Sequence, residues 1–412
     1  MDERNNLKLE DVAILNTMNN LNNIEYLVGD QNINKKSTAP FNENICNFLG
    51  DLSSELNLLK ESKEYPDIKT FAFWCRKQNI INLKKKFSSN ETRVGLGLIF
   101  HITPSNIPTN FAYSLIFGLI TGNANIVKVP SQQFPQVKII CKSINKILKN
   151  KHKLIRNKIS IVRYSENDNY TKKISSICNA RLIWGGDNSI NNIRKFPLDQ
   201  RAIDIAFADR YSFCVINTSK ILKLDVNEMK RLIEKFYNDT YLVDQNACSS
   251  PHLILWLGKK VNKAKEKFWK TLQYYVNKKY KLTDIASIEK YTQLCSNILN
   301  LKNLKKYERY DNSIYTISLK KLDKNTHNLR GKWGFFYEYN INDLNKIKSC
   351  INNKYQTLTY FGLNKNILRN FVLHNQLEGI DRIVPIGQAL DISFFWDGYD
   401  INRILSRVID IK

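Results

Sequence analysis

Two polar turns, each set against an apolar run, hold the side chains of this chain best placed to do chemistry. The first, Thr103-Pro104-Ser105-Asn106-Ile107-Pro108, joins "VGLGLIFHI" to "NIPTNFAYSLIFGLITGN". Ligands bind at the carboxyl ends of parallel strands, and a helix start offers unsatisfied N–H groups. Asn106 in such a turn has two readings: a cap for the following helix, or a donor to a developing oxyanion. The second turn is Asp244-Gln245-Asn246-Ala247-Cys248-Ser249-Ser250-Pro251. Of the eight cysteines, Cys248 is the one flanked by small and polar residues in a turn. A nucleophilic thiol needs access and a stabilised thiolate, which a turn beside backbone N–H groups can provide. Cys75, Cys141 and Cys214 lie in amphipathic or apolar segments and read as packing residues; Cys46, Cys178, Cys295 and Cys350 have no comparable setting. A lone cysteine is more often structural than catalytic, so its context must decide.

Other chemistries find little support. Gly95 and Gly97 lie inside an apolar run without the third glycine of a dinucleotide fingerprint. There is no P-loop and no GxSxG, and the five histidines (His101, His152, His252, His327, His374) are scattered, so no metal site is expected. The net charge of +25 is spread from Lys8 to Lys412, and its densest runs, Lys84 to Lys86 and Lys305 to Arg309, are short. A nucleic-acid binder concentrates charge in a stripe interleaved with aromatics. No specific nucleic acid is expected, and attraction to anionic substrates or cofactors is the milder reading. A composition of 43% hydrophobic and 25% charged residues is that of a globular protein. No apolar run reaches the roughly 18 residues of a membrane span. The start, Met-Asp-Glu-Arg-Asn-Asn, lacks a secretory pattern, so reduced thiols and a cytoplasmic location are expected.

The elements that must position the two turns follow from periodicity. Residues 1–45 are Asn-rich and weakly patterned, and read as a loose arm or short helices. Leu52, Leu56 and Leu59 mark a helix, and a second runs from Pro66 through "PDIKTFAFWCRKQNIINLKKKF". "VGLGLIFHI", "NIVKV", "ISIVRY", "ARLIWGG", "AIDIAF" and "SFCVIN" read as strands alternating with helices, the pattern of a mostly parallel sheet covered on both faces. A second unit begins near Asp225, with a basic helical stretch from Lys259 to Asn312, strands at "SIYTISL", "GFFYEYNI" and "QTLTYFGL", and a helix around Asp343 to Asn352. The fold class is α/β. The expected division is a helical N-terminal region over 1–90, a cofactor-binding domain over 91–222, a domain carrying Cys248 over 223–370, and a C-terminal segment over 371–412. That segment, with Phe394, Phe395, Trp396 and Tyr399, either docks back on the body or forms an oligomer interface.

"ITPSNIPTN", "GNANIVKVPS" and "DQNACSSP" occur in an order that resembles the aldehyde dehydrogenase superfamily. "AFWCRKQNI", "GLIFHITPSNIPTNFAYSLIFGLITGNANIVKVPS" and "DISFFWDGYD" look like one branch of it, the acyl-CoA reductases of the LuxC fatty-acid reductase type. The resemblance covers roughly residues 60 to 412. It implies a Rossmann-type parallel-sheet cofactor domain and an α/β catalytic domain. Cys248 would be the nucleophile that holds the acyl group as a thioester, and Asn106 with the Cys248 backbone N–H would form the oxyanion hole. Lys128 would contact the cofactor ribose with Ser131 nearby, while Thr103 and Pro104 line the cofactor cleft and Gly185-Gly186 allow close approach. Lys128 as a solvated strand end, and the glycines as an ordinary turn, are the plainer alternatives.

One departure bears on the direction of reaction. Oxidising relatives carry a Glu that activates water against the thioester; the stretch here is "IAFADRYSF", with Asp204 and Asp209 near but displaced. An enzyme running towards aldehyde has no use for that base. The resemblance therefore implies NADPH-dependent reduction of an activated, by default fatty, acyl group. Its donor would be acyl-CoA or a partner acyl-protein synthetase, and the enzyme would be a homo-oligomer. An aldehyde-oxidising NAD(P)-dependent dehydrogenase, a basic nucleic-acid-binding or scaffold protein, and an acyl-phosphate reductase are the rivals.

Overall fold

A computed structural model describes residues 24–87, 91–165 and 168–412; of the arm or short helices expected over residues 1–45, the first 23 residues lie outside the described ones. The chain divides into two compact units, residues 1–208 with 399–412 and residues 209–398. In the first unit the elements run β1 (Glu25–Val28), α1 (Glu43–Leu58), α2 (Pro66–Trp74), α3 (Lys77–Phe87), β2 (Arg93–Gly95), β3 (Leu98–Ile102), α4 (Asn110–Ile120) and β4 (Ala124–Lys128). They continue with α5 (Pro135–Asn150), β5 (Ile159–Arg163), α6 (Asp168–Ile177), β6 (Ala180–Trp184), α7 (Asp187–Arg194) and β7 (Ile203–Phe207). The sheet order is β1-β5-β4-β3-β6-β7, parallel except for edge strand β1. Every residue of α4 is buried, as its all-round apolar sequence requires.

A chain of buried hydrogen bonds ties β3, β4, α4 and β6 together. Trp184 Nε1 donates to Ser114 Oγ (2.9 Å), which lies 2.7 Å from His101 Nδ1; His101 Nε2 lies 2.9 Å from Asn125 Oδ1, and Asn125 Nδ2 donates to the Asn123 carbonyl. The Asn125 amide nitrogen is committed, so Nε2–H donates to Asn125 Oδ1; burial disfavours a second ring proton, which leaves Nδ1 to accept from Ser114. The imidazole is therefore neutral, in the Nε2–H tautomer. Gly118 makes room for this chain, since a Cβ there would lie 1.7 Å from Asn125 Oδ1.

The second unit contains β8 (Tyr211–Asn217), α8 (Val226–Thr240), β9 (Pro251–Leu257), α9 (Val261–Lys279), α10 (Asp284–Asn300), β10 (Leu304–Tyr310), β11 (Ile314–Leu319), β12 (Phe335–Ile341), β13 (Tyr355–Phe361), α11 (Lys365–His374) and β14 (Arg382–Pro385). The sheet order is β10-β11-β12-β9-β8-β13-β14, with β10 alone antiparallel. Side chains alternate between faces along a strand. Phe213 and Val215 accordingly join a core with Leu294 of α10 and Leu368 of α11, while Cys214 and Ile216 join another with Phe236 of α8 and Trp269 of α9. Within the second core Glu338 is fully buried. It accepts from Trp256 Nε1 (2.7 Å) and Trp269 Nε1 (2.8 Å) and pairs with Lys265 (3.1 Å). Removing one partner from such a pair costs about 3–5 kcal/mol.

Several expected boundaries move. The run "VGLGLIFHI" is broken at Gly97 (φ 136°), where a Cβ would collide with Asn179 Oδ1. β2 thereby turns away to pair antiparallel with β15 (Ser406–Val408), which brings the chain end into the first unit. "SFCVIN" is β8 and pairs with β9 and β13, so the units divide at 208/209 rather than 222/223. The N-terminal 90 residues supply strand β1 as well as helices, and α2 and α3 are separate elements in place of the single helix that periodicity predicts. "LKKYERY", within the stretch read as helical, is edge strand β10, and the helix expected around Asp343 is a 3-10 turn over Leu344–Cys350. Phe394 and Trp396 are buried, whereas Phe395 is exposed.

Burial holds His101 at about 4 and His252 at about 3, below the ordinary value of about 6.5. A depressed folded-state value means that the neutral form favours the fold. The contribution is present above a pH of about 6.5 and drains as pH falls towards 4. The midpoint of urea unfolding should fall across that window, and His101→Gln should flatten the decline; an unchanged slope would disprove the assignment.

Candidate functional site

In the first unit the expected cofactor residues gather at the carboxyl ends of β3, β4 and β6. Thr103 donates through both its N–H (3.2 Å) and its Oγ1 (2.8 Å) to the Lys128 carbonyl, locking the exits of β3 and β4 together. Lys128 Nζ lies 4.9 Å from the centre of the Tyr164 ring, and Ser131 Oγ donates to the Tyr164 carbonyl (3.3 Å). Lys128, Ser131 and Thr103 are thus one cluster around the ends of β3, β4 and β5. Pro104 follows Thr103, half-buried, and Asn106 is exposed in the next bend. Asn106 is not the helix cap: α4 starts at Asn110 with Thr109 in the cap position. Gly185 donates its N–H to the Phe207 carbonyl (3.2 Å), and Gly186 immediately precedes α7. A Cβ on Gly186 would meet nothing within 4 Å, so no packing demand forces a glycine there and space lies open beside it.

In the second unit Cys248 sits in the turn between α8 and β9. Asp244 and Gln245 adopt left-handed backbone (φ 52° and 60°), a conformation that costs non-glycine residues about 1–3 kcal/mol. The buried Gln245 amide offsets this. Its Nε2 donates to the carbonyls of Pro251 (2.9 Å) and Phe335 (3.2 Å), and its Oε1 accepts from the Gly334 and Phe335 N–H groups. Ser250 Oγ donates to the Asp239 carbonyl of α8 (2.7 Å), and Ser212 Oγ donates to the Cys248 carbonyl (2.6 Å). Each end of the turn is therefore fastened to regular structure.

As a residue Cys248 is half-buried. Gln356 of β13 donates from Nε2 to Cys248 Sγ (3.4 Å) and to Asp397 Oδ1 (2.9 Å), while its Oε1 accepts from Thr357 Oγ1 (3.2 Å). Asp397 pairs with Arg210 (3.0 Å), which also pairs with Asp381. Arg382 is held by the carbonyls of Gln388, Ala389 and Asp391 and stacks on Trp396. Burial first, then the Asp397 charge, pushes the Cys248 thiol up to about 11; Gln356, Arg210 and Arg382 act in the opposite sense. A stabilised resting thiolate, the expectation from the turn, is not what the structure provides. Gln356, Asp397 and Arg210 escaped sequence reasoning because they come from three distant segments that only the sheet brings together.

Asp204 and Asp209 are both committed to ion pairs, Asp204 with Arg181 (2.8 Å) and Arg194 (3.4 Å), and Asp209 with Arg330 (2.8 Å). Among the described residues, no group of three or more His, Cys, Asp and Glu could hold a metal ion, and no helix is long and apolar enough to cross a membrane.

With the thiol near 11, alkylation of Cys248 by iodoacetamide should be slow at pH 7 and rise about tenfold per pH unit up to pH 9. Mass spectrometry of the modified peptide measures this directly. A rate that is flat over that range would show a thiolate already formed.

The folded chain is similar to several aldehyde dehydrogenases. Aldehyde dehydrogenase 21 of Physcomitrella patens, solved with its product succinate, superposes with a TM-score of 0.61 at 12% identity over 89% of this chain and 85% of that one. For 1-pyrroline-5-carboxylate dehydrogenase of Thermus thermophilus the values are 0.62, 10%, 89% and 80%, and for salicylaldehyde dehydrogenase of Pseudomonas putida G7 they are 0.61, 10%, 90% and 86%. These likenesses establish the aldehyde dehydrogenase fold. No curated protein matches the sequence. The family model of the LuxC acyl-CoA reductases matches residues 76–401, most of the length, and with that match the chain belongs to the LuxC acyl-CoA reductase family.

Proposed function

We propose that this protein reduces an activated fatty acyl thioester to the aldehyde with NADPH, through an acyl group carried on Cys248. The family and fold support aldehyde-forming acyl reduction with a nicotinamide cofactor in general; the thioester donor, the chain length and NADPH are our reading. The observation that carries it is the setting of the Cys248 sulfur. Its hydrogen-bond partner among the described residues is an amide, Gln356, and the two carboxylates nearest in sequence to the water-activating position are held in arginine pairs. The carboxylate whose charge acts on the sulfur, Asp397, is engaged by Gln356 and Arg210, and the group hydrogen-bonded to the sulfur is an amide rather than a base.

The residues of the first unit fit a nicotinamide dinucleotide. Lys128 and Thr103 stand at the strand ends, Ser131 and Pro104 flank them, and Gly186 is exposed with no atom within 4 Å of where a Cβ would lie. When bound, such a cofactor supplies the hydride. Cys248 gives up its proton as it takes the acyl group, and the CoA or partner-protein thiol leaves with one. Asn106 and the Cys248 backbone N–H are assigned to the oxyanion that forms as the carbonyl carbon becomes tetrahedral. Collapse of the hemithioacetal returns the electron pair of the C–S bond to sulfur and frees the aldehyde. An acyl-protein synthetase is the proposed alternative donor to acyl-CoA, a homo-oligomer the proposed assembly, and the cytoplasm the proposed location.

Radiolabelled acyl-CoA should label the protein on a denaturing gel, NADPH should discharge the label as aldehyde, and Cys248→Ala should remain unlabelled. Label on the Cys248→Ala variant, or steady formation of acid from aldehyde with NAD, would sink this reading. Asn106→Ala should still be labelled but lose about 100- to 1000-fold in turnover, the loss typical of removing one oxyanion donor.

A further inference from the structure

We propose that Gln356 is a catalytic residue, donating a hydrogen bond to the Cys248 sulfur as it leaves the hemithioacetal, and that Asp397 and Arg210 are positioning residues that keep its N–H groups aimed there; this rests on the reading of Cys248 as the acyl carrier. Hydrogen bonding fixes the orientation of the amide. An ionised carboxylate only accepts, so Asp397 Oδ1 at 2.9 Å determines which end of the Gln356 amide is nitrogen. Thr357 Oγ1, donating to Oε1, satisfies the other end. With one N–H spent on Asp397, the second faces Cys248 Sγ at 3.4 Å. Arg210 at 3.0 Å holds Asp397 in place and is itself held by Asp381. Gln356 and Asp397 are both buried, so bulk water does not compete for these bonds.

A second N–H on a neutral thiol contributes little, because sulfur is a weak acceptor. On a thiolate it becomes a charge-assisted bond, about twice as strong. The donor therefore does most when the C–S bond breaks, its electron pair settles on sulfur and the oxyanion re-forms the carbonyl of the departing aldehyde. It also favours the thiolate that must form before acylation. An amide can do this without offering water a base, which a carboxylate at the same place would.

The charged groups that act on the sulfur are Asp397, which opposes the thiolate, and Arg210 and Arg382, which favour it; Asp381 pairs with Arg210, and Asp239 and Asp391 lie beside Arg382. The test compares wild type with Gln356→Leu, Gln356→Met and Asp397→Asn in the full chain. Two readouts are needed: the pH profile of iodoacetamide alkylation at Cys248, and single-turnover aldehyde release from the preformed acyl-enzyme on adding NADPH. Loss of a bond to a charged group predicts alkylation about tenfold slower at each pH from 7 to 9, and aldehyde release slower by a similar factor with acyl label still on Cys248. Asp397→Asn should scatter the amide and slow aldehyde release while lowering the apparent thiol value, because it removes an opposing charge. A purely structural role for Asp397 would not separate the two readouts. Wild-type alkylation and release in both Gln356 variants would overturn the proposal. Failure of wild type to take acyl label would instead overturn the reading of Cys248 as acyl carrier, while the alkylation profile, which needs no substrate, would still decide whether Gln356 acts on the sulfur. Should Gln356→Leu alone unfold, the neutral and similarly sized Gln356→Met decides the matter, since a thioether cannot donate.

Discussion

Desolvation sets the terms on which both units hold their loops. A buried polar group without a partner costs about 1–3 kcal/mol, so each one placed inside an apolar layer dictates where its neighbours stand. His101 does this for the first unit. Its two ring nitrogens must be matched by one donor and one acceptor, and the match is made by Ser114 on α4 and Asn125 on β4, with Trp184 on β6 completing the chain. The last residues of β3 are thereby fixed two positions before Thr103. Gln245 does the same for the second unit, with three of its amide bonds holding the turn that carries Cys248 to the start of β12 and the fourth to Pro251 at the head of β9. Reactive loops gain their placement from polar groups that are themselves inert.

The same penalty governs the sulfur. Burial that orders the turn also disfavours the thiolate, and the neighbouring Asp397 adds to that effect. The thiol is thus quiet at rest. On the reading proposed for Cys248, its reactivity would come from interactions that grow as charge develops, which is the condition for raising the rate rather than tightening the resting state. Donors such as the Gln356 amide meet that condition. A preformed thiolate would instead be exposed to alkylation and oxidation with no substrate present.

Much of the architecture was legible in the order of apolar runs and breakers. Strands β3 to β7 and helices α4 and α5 fall where periodicity places them, because buried parallel strands are uniformly apolar and their helices carry a regular stripe. What periodicity could not convey was a backbone decision made by a distant side chain. Nothing local to Gly97 reveals that Asn179 occupies the space a Cβ would need, so the run from Val94 to Ile102 reads as one strand. The polar, charged "LKKYERY" has no inner face to reveal and reads as helix, yet it is an edge strand with one side to solvent. The two turns, Asn106 and Cys248 were visible as local exceptions. Gln356 was not, since a glutamine heading a strand has no local signature, and its role exists only because parallel pairing sets β13 beside β8 and the Cys248 turn.

The surplus of cations acquires a structural meaning in the partners of the carboxylates. The chain has 63 lysines and arginines against 38 aspartates and glutamates, so carboxylates find guanidinium partners readily. Asp204 has Arg181 and Arg194, Asp209 has Arg330, and Asp381 and Asp397 share Arg210. A carboxylate paired with a guanidinium is less ready to accept a proton from water, because the ion pair favours its charged form. In a hydrolytic or oxidising enzyme such pairing would be a defect, because deacylation there depends on a base that is near and unoccupied. On the reading proposed for Cys248, in which a thioester waits for hydride, the same pairing would be protection, obtained by occupying the carboxylates rather than removing them. Arginine is the residue suited to this, since it stays charged at any working pH and its planar fork can hold two carboxylates at once, as Arg210 does.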